Sequence, residues 1–394
     1  MLLPLALLAA LLTVAGIALT LIGARLVCRF RAAPGLPPAA DLPPISLLKP
    51  LYRDEALLEA ALASACAQDY PRFQVVFGVQ DAADPALGAV WRLCARYPGC
   101  DIAVVVDDSA PGANRKVANL TNMLAAAKHE ILVIADSDVH AAPDYLRRIA
   151  TALAQPGTGL VTTLYAGLPA NATLAARMGA RAITHGFLPG ALLARAMGRR
   201  DALGATMALR RATLAAIGGF AVLRDHLADD NMLGRMVAAL GLDIALAATV
   251  PATTVPETRV GDLFRHELRW GRTIRAIAPV SFAVSAVQYP LGWALLAVVL
   301  AGGAPWALLL FALAWTARAL AARAIDRMLG LGPVIAGAAR AAALWQLPLR
   351  DLMSIGVVLA SYLGDRVEWR GQSMRTAAAG RGVLAREALG IERA

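Results

Sequence analysis

The stretch "ILVIADSDVHAAPDYL", from Ile131 to Leu146, decides the fold. Its first five residues are apolar and lead directly into Asp136, Ser137 and Asp138. A short, uninterrupted apolar run is typical of a strand that is buried on both faces, as in a parallel sheet. Two carboxylates at the end of such a strand must either be solvated or hold a cation.

Further apolar runs alternate with helical patterns along the chain. These runs are "ISLLKP" from Ile45, "FQVVFGVQD" from Phe73, "DIAVVVDD" from Asp101 and "GLVTTLYAG" from Gly159. Alternation of strands with helices predicts an α/β fold, with a mostly parallel sheet covered on both faces. Ligands bind such sheets at the carboxyl ends of the strands. Those ends carry a set of aspartates: Asp81, Asp107, Asp108, Asp136 and Asp138.

Two segments are too apolar for an ordinary soluble enzyme. Leu2 to Ala24 carries no charge, and Ala276 to Ala317 is free of charge for 42 residues. Because about 20 apolar residues span a bilayer core, we expect one span and two spans respectively, the pair divided at Ala301 to Pro305. The first segment lacks a basic start and exceeds the about 7–15 apolar residues of a signal peptide, so we expect a retained anchor.

The arginines directly after the first segment set the expected orientation. No acid occurs before Asp41, and the basic residues are Arg25, Arg29 and Arg31. By the positive-inside rule, the part of the chain after this first span faces the cytoplasm. The pattern therefore predicts an inner-membrane protein with several spans.

The predicted organisation has five parts. They are an N-terminal transmembrane anchor (1–27), a proline-rich linker (28–44), a cytosolic α/β domain (45–275), C-terminal membrane helices (276–365) and a basic tail (366–394). Residues 182–200, interrupted by Pro189 and Arg195, are expected to lie at the membrane interface. Ala341 to Gly364 is nearly long enough for a further span, but it contains Pro348, Arg350 and Asp351. A span there would place the basic tail outside the cytoplasm, whereas a broken re-entrant segment would keep the tail cytoplasmic, and the sequence leaves both alternatives open.

Charge and cysteine content exclude some classes of function. The net charge is +10, but no basic stripe alternates with aromatic residues, so we expect no nucleic-acid partner. Arginines near anionic lipid headgroups explain the charge better. The four cysteines include no CxxC pair, which favours reduced thiols over a zinc site or a disulfide framework.

Three further motifs carry polar residues in recognisable patterns. "VQDAADP" places Asp81 and Asp84 after the second strand, and "HLADDNML" places Asp229 and Asp230 at the start of a helix. "HELRW", from His266 to Trp270, continues toward the apolar C-terminal part. Each motif has an ordinary structural interpretation: a solvated turn, a helix cap and an interfacial anchor respectively.

The ordered set "LLKP", "VQDAADP", DSD, ADD and "HELRW" resembles an inverting glycosyltransferase of the family 2 type. Within that group it looks like the ceramide glucosyltransferase branch, family 21, and most like the bacterial hopanoid-associated subgroup. The likeness covers Ile45 to Ala276, together with one membrane helix before this region and several after it. It implies a GT-A fold, which is an α/β, Rossmann-like mixed sheet, with transmembrane helices attached.

The resemblance also implies roles for individual residues. Asp230 matches the catalytic base, and Asp138 matches the ligand of a divalent metal, Mn²⁺ or Mg²⁺. The residues implied in donor binding are Lys49, Asp81, Asp84, Lys116, Asn119, Asp136, His266, Arg269 and Trp270. His266 departs from the Gln or Arg that is usual at its position. A divalent cation would neutralise the charge that grows on a diphosphate leaving group.

The expected function is transfer of N-acetylglucosamine or glucose from a UDP-sugar to the hydroxyl of a membrane lipid. A hopanoid is the expected acceptor, and ceramide is the alternative. A transporter or a non-catalytic scaffold would instead carry its polar residues inside the spans. A glycosidase with paired carboxylates would be expected outside the cytoplasm.

Overall fold

The secondary structure alternates between strands and helices in the first 256 residues and is mostly helical afterwards. A computed structural model describes residues 2–33, 42–330, 344–369 and 372–375. The strands are β1 (Ile45–Pro50), β2 (Phe73–Val79), β3 (Asp101–Val106), β4 (Ile131–Ala135), β5 (Val139–His140), β6 (Thr158–Thr162), β7 (Ala166–Pro169), β8 (Thr206–Arg210), β9 (Asp243–Leu246), β10 (Ala252–Val255), β11 (Arg366–Trp369) and β12 (Gln372–Arg375).

The α-helices are of very unequal length. They are α1 (Leu2–Ala32), α2 (Leu58–Cys66), α3 (Ala86–Arg96), α4 (Arg115–Met123), α5 (Tyr145–Leu153), α6 (Leu174–Ala182), α7 (Leu188–Ala196), α8 (Arg211–Ala216), α9 (Asp229–Ala239), α10 (Val260–Ile277), α11 (Pro279–Ser285), α12 (Pro290–Leu300), α13 (Pro305–Leu329) and α14 (Gln346–Ser361). These elements belong to two compact units of the chain. The sheet unit contains residues 34–166 and 198–256, and the helical unit contains residues 1–33, 167–197 and 257–388.

One mixed sheet organises the sheet unit. Its strand order is β3-β2-β1-β4-β8-β6-β9. β1 runs parallel to β2 and β4, β2 is parallel to β3, and β6 is parallel to β9. Only β8 is reversed, because it pairs antiparallel with both β4 and β6. The predicted α/β fold with a mostly parallel sheet is therefore confirmed.

Helices cover both faces of this sheet, which explains why its strands are apolar without interruption. Leu47 and Val133 belong to a core with α2, α3 and α5. Leu48 and Leu132, one residue along each strand, belong to the core on the other face with α4, α8 and α9. Successive side chains of a strand point to opposite faces, so both sets are fully buried.

The short strand β5 turns the chain immediately after Asp138. It pairs antiparallel with β10, so that Val139 lies opposite Thr253. This pairing brings a segment more than one hundred residues away in sequence to the carboxyl end of β4. The end of β4 is thereby enclosed by distant parts of the chain.

Apolar helices of membrane-spanning length occur in the helical unit. α1 and α13 are long and apolar enough to cross a bilayer, and α11 with α12 forms a pair bent by 70°. The described residues therefore contain two candidate spans, or three if the bent pair is one span. α1 continues to Ala32, into the predicted linker, because no proline or glycine lies between Gly23 and Pro34. α13 likewise continues beyond the charge-free segment to Leu329.

α14 is continuous from Gln346 to Ser361, within the segment for which the sequence left a span and a broken re-entrant segment open; residues 341–343 lie outside the described residues. Pro348 lies in the first turn, where a missing N–H removes no helical hydrogen bond. The two charges at its start are paired. Arg350 binds both carboxylate oxygens of Glu267, at 2.7 and 2.6 Å, and Asp351 accepts from Arg318 at 2.7 Å.

The segments predicted as interfacial and as a basic tail both contain regular structure. The first forms the end of α6, a π-helical turn at Ile183–Phe187, and α7. Pro189 falls at the start of α7 and does not interrupt it. In the predicted tail, β11 and β12 form an antiparallel pair, and residues 376–394 lie outside the described residues.

Candidate active site

Lys116 lies where three elements of the sheet unit meet. Asn114 begins α4 by accepting hydrogen bonds from the backbone N–H groups of Lys116 and Val117, at 3.0 and 3.2 Å. This cap places the Lys116 side chain near the end of β4 and the start of α9. Its ammonium lies 2.6 Å from Asp136 Oδ1 and 3.8 Å from Asp229 Oδ2.

The carboxylates around Lys116 keep it charged although it is buried. Burial alone would lower the pKa of Lys116. The adjacent Asp136 and Asp229 carboxylates outweigh burial and hold that pKa above its ordinary value. The site therefore contains a permanent cation that is only 7% exposed.

Asp230 differs from its neighbour Asp229 in both contacts and exposure. Asp229 is buried near Lys116, whereas Asp230 remains partly accessible to solvent. Asp230 Oδ1 accepts a hydrogen bond from the N–H of Asn231 at 2.7 Å. The protein surrounding Asp230, and then the charge of Asp229, raise the pKa of Asp230 to about 6. A carboxylate with that pKa is a stronger base than an ordinary aspartate and is still mostly ionised at pH 7.

Gly204 keeps space open beside the Asp230 carboxylate. A Cβ at this position would lie 2.9 Å from Asp230 Oδ2, closer than real Cβ contacts permit. The segment "GATMALRR", which begins at Gly204 and enters β8, carries no local sign of this role. Any larger residue at position 204 must displace the Asp230 side chain.

Asp138 is half-buried at the end of β4. Burial, and then the charge of Asp136, raise the pKa of Asp138 to about 6. The hydroxyl of Thr253 donates a short hydrogen bond to Asp138 Oδ2. Nearby, Ser137 Oγ donates to Glu55 Oε2 at 2.5 Å. The end of β4 therefore carries an excess of negative charge in a buried setting.

The donor set at the end of β4 fits a divalent cation that shares its ligands with a substrate. Carboxylate oxygens are the ligands that Mg²⁺ and Mn²⁺ prefer. Within the described residues, no group of three or more His, Cys, Asp and Glu side chains is arranged to hold a metal. Mg²⁺ in nucleotide sites commonly takes one or two carboxylates and completes its shell with phosphate oxygens and water. Asp138, with Asp136 beside it, supplies such a partial set.

The Lys49 side chain contacts the backbone of the loop after β4. Its side chain is 1% exposed, and its ammonium donates to the backbone carbonyls of Asp136 and Val139, at 2.9 and 3.0 Å. Burial lowers the pKa of Lys49 to about 8, and the charges of Asp138 and Asp136 limit the fall. Donor binding by Lys49 stays a prediction, and its contacts favour a different role, which is to fix the loop that carries both aspartates.

Three of the predicted donor-binding residues lie around the end of β2. Asp84 is buried and accepts from the N–H groups of Arg53 and Ala86, so it joins two loops. Asn119 is 2% exposed and donates to the carbonyl of Gly78 at 2.8 Å. Asp81 is exposed, so its carboxylate is accessible from solvent. The contacts of Asp84 and Asn119 order the backbone, and their contact with a donor stays a prediction.

His266, Arg269 and Trp270 belong to α10 of the helical unit. His266 packs edge-on against Trp270, with ring centroids 4.4 Å apart. Its Nδ1 shares a hydrogen bond with Glu257. Burial would raise the pKa of Glu257, but the contact with His266 and the charge of Arg269 hold that pKa below its ordinary value. Glu257 thus orients the first residue of the motif, a role that sequence reasoning missed.

The comparisons with known proteins agree with this fold. A solved mannosyltransferase, PcManGT from Pyrobaculum calidifontis, covers 91% of the chain and 99% of its own length, at a TM-score of 0.50 and 22% identity. That structure was determined with GDP-mannose and Mn²⁺. The sheet unit with its strand-end carboxylates therefore has the GT-A glycosyltransferase fold, as the sequence predicted.

The sequence profile of glycosyl transferase family 21 matches residues 7–381, so the chain belongs to that family. Ceramide glucosyltransferase of Komagataella phaffii is 32% identical over 129 residues, which are 32% of this chain and 25% of the relative. Ceramide glucosyltransferase 1 of Caenorhabditis elegans is 22% identical over 257 residues, or 64% of this chain and 54% of the relative. The chain thus spans between a quarter and about half of the length of these curated relatives.

Replacing Lys49 by Met tests whether this lysine fixes the loop. The substitution leaves the carbonyls of Asp136 and Val139 without their buried donor, at a cost of about 1–3 kcal/mol each. We expect a clear loss of thermal stability in detergent, together with weaker nucleotide binding. Lys128→Met is the matched control, because Lys128 is exposed and pairs with Asp101 at the surface. A Lys49→Met protein with unchanged stability and lost nucleotide affinity would instead make Lys49 a direct donor ligand.

Proposed function

We propose that this protein is a membrane-bound inverting glycosyltransferase that moves a hexose from a UDP-sugar to a lipid hydroxyl. The observation that carries the proposal is the contrast between Asp229 and Asp230. Asp229 lies near the buried Lys116, whereas Asp230 is partly accessible and has a pKa of about 6. The arrangement supplies one carboxylate suited to proton abstraction beside a fixed cation.

Asp230 acts as the general base in this proposal. It takes the proton of the acceptor hydroxyl while the hydroxyl oxygen attacks the anomeric carbon from the face opposite the leaving group. The bond between that carbon and the diphosphate oxygen breaks in the same step, so the configuration inverts. A single base is sufficient, and no covalent sugar intermediate on the protein is needed. Gly204 contributes by leaving room beside Asp230.

Lys116 and the strand-end aspartates serve the leaving group. The raised pKa of Lys116 keeps a positive charge in the site throughout the physiological range. We assign Asp138 to a divalent metal, with Asp136 beside it as a donor contact. When bound there, the metal neutralises charge on the diphosphate. On α10, we assign Arg269 and Trp270 to the donor or acceptor end, with His266 held in place by Glu257.

The acceptor is proposed to be a membrane lipid. α1 and α13 are of membrane-spanning length, and both named relatives are ceramide glucosyltransferases. Their names support ceramide as acceptor, and glucose as the transferred sugar, at least as well as the hopanoid and N-acetylglucosamine expected from the sequence. The orientation with the sheet unit in the cytoplasm rests on the arginines after the first span.

A transporter is the competing class, because it would carry charges among its helices. The helical unit does contain buried charges. Arg318 and Arg350 each contact a carboxylate, Asp351 and Glu267 respectively. Paired charges of this kind can join helices without forming a path for a solute, so the family assignment and the sheet unit decide in favour of the transferase.

Removing the divalent cation tests the assignment of Asp138. We expect excess chelator to abolish transfer, and added Mn²⁺ or Mg²⁺ to restore it, because the single charge of Lys116 does not balance the charge that develops on the diphosphate. Asp138→Asn should raise the metal concentration needed for half-maximal rate by at least about tenfold. Asp144→Asn is the control, because Asp144 lies half-buried at the start of α5 and pairs with Arg148. Full activity in chelator would remove the metal from the mechanism.

Substituting Asp230 by Asn tests the base. Loss of a general base should slow kcat by roughly 100- to 10,000-fold, with donor affinity retained, because the base acts on the acceptor. With donor and metal saturating, kcat of the unmodified protein should fall as pH drops through about 6, since Asp230 then becomes protonated. Lipid product is measured by mass spectrometry in vesicles.

Asp229→Asn is the matched variant for this test. Asp229 contacts Lys116, so its loss should weaken donor binding more than it slows kcat. If Asp230→Asn turned over at the normal rate while Asp229→Asn was inactive, the base would be Asp229. If both variants kept full activity, the proposed mechanism would be wrong.

A further inference from the structure

A groove in the helical unit has features that glycosyl transfer as proposed above does not use. It opens among α1, the π-helical turn, α7 and α13. Its apolar lining includes Leu19, Leu193 and Ile325. Its polar lining consists of Thr20, His185, Gln288, Tyr289 and Arg318. Such a mixture suits an amphiphilic ligand better than a polar or a purely apolar one.

His185 presents a hydrogen-bond acceptor in this groove. Its Nε2 lies 2.7 Å from the carboxylate of Asp326, and a carboxylate only accepts. Nε2 therefore carries the hydrogen, and in the neutral ring Nδ1 carries a lone pair. His185 is 6% exposed, and its Nδ1 has no hydrogen-bond partner among the described residues. A buried acceptor of this kind is costly unless something donates to it.

Arg318 adds an unused donor to the same groove. Its terminal nitrogens donate to the carbonyl of His185 at 3.2 Å and to Asp351 at 2.7 Å. Its Nε, like the hydroxyl of Thr20, lacks a partner within the described part of the chain. Arg318 is 7% exposed. The groove thus combines one unsatisfied acceptor with unsatisfied donors.

The backbone around His185 is π-helical. Ile183–Phe187 forms a π-helical turn between α6 and α7. Single π-helical turns are rare and occur frequently at functional sites. Gly186 lines the groove, and a Cβ built there would meet nothing within 4 Å. The turn therefore presents His185 while leaving space beside it.

We propose that this groove binds a membrane lipid through a free hydroxyl group of its head. A hydroxyl donates one hydrogen bond and accepts others, so it satisfies His185 Nδ1 together with Arg318 Nε or Thr20. A phosphate diester cannot donate and would leave Nδ1 unsatisfied. The apolar residues of α1, α7 and α13 accommodate the hydrocarbon part. The proposal deepens the proposed function, since that function consumes a lipid hydroxyl, but binding is measurable without turnover.

Photo-crosslinking of the full chain in vesicles tests this site. The probes are a diazirine-bearing ceramide, its derivative with both hydroxyls O-methylated, and a diazirine-bearing phosphatidylcholine. We expect the ceramide probe to label peptides that contain residues 185–193 or 318–325. Labelling by the other two probes should be about tenfold weaker, as one lost hydrogen bond implies. Equal labelling by all three probes, or none by the ceramide probe, would overturn the proposal.

Two variants separate the groove from general contact with lipid. His185→Gln keeps an N–H for Asp326 but removes the acceptor at Nδ1, and Gly186→Leu fills the space in the groove. Each should reduce ceramide labelling about tenfold. Gly99→Leu is the matched control, because a Cβ at Gly99 also meets nothing within 4 Å and lies outside the groove. Unchanged labelling in both groove variants would overturn the proposal.

Acceptor kinetics identify the source of the bound lipid. A raised KM for the acceptor lipid in His185→Gln, with kcat retained, would support the groove as the acceptor site. Lost labelling with unchanged KM would support the groove as the site of a resident membrane lipid. Labelling that persists in an inactive Asp230→Asn protein separates this proposal from the proposed function, because binding does not require the base.

Discussion

The buried ammonium of Lys116 is the interaction on which the rest of the site depends. Asp136 and Asp229 both approach it, at 2.6 and 3.8 Å, and come from different elements of the sheet unit. Carboxylates gathered at one place in a protein repel one another and lose their hydration. Lys116 offsets both costs, and its own charge is in turn maintained by those carboxylates. The end of β4 and the start of α9 are therefore held together by charge as well as by apolar packing.

Two further carboxylates of the site, Asp138 and Asp230, do not form an ion pair with Lys116. Asp138 and Asp230 both have a pKa of about 6, mainly because they are surrounded by protein. Asp138 suits a metal cation that binds together with the sugar donor. Asp230 suits a proton that comes from the hydroxyl of the acceptor. The two proposed roles therefore depend on the same cause, which is burial of both carboxylates. In the helical unit, by contrast, the Glu267 carboxylate is fully paired, since Arg350 binds both of its oxygens.

Local signals in the sequence predicted the parts of the structure that depend on neighbouring residues. Apolar runs predicted the strands, and Asp136, Asp138 and Asp229 lie at the strand or helix ends where they were expected. Contacts between distant segments left no such signal. Thr253 reaches Asp138 only because β10 pairs with β5, and Arg350 meets a partner 83 residues away. Pro348 left a break in α14 open as one alternative, but a proline in the first turn does not interrupt a helix.

The configuration of the product tests the central claim, which is that one base at Asp230 drives a single displacement. Full-length protein in vesicles would receive UDP-glucose or UDP-N-acetylglucosamine labelled with ¹³C at the anomeric carbon, with ceramide or a hopanoid polyol as acceptor. The one-bond carbon–proton coupling at that carbon reports the linkage. A single displacement on these α-linked donors predicts a β-linked glycolipid. An α-linked product would contradict the mechanism, because retention requires a second displacement by another nucleophile.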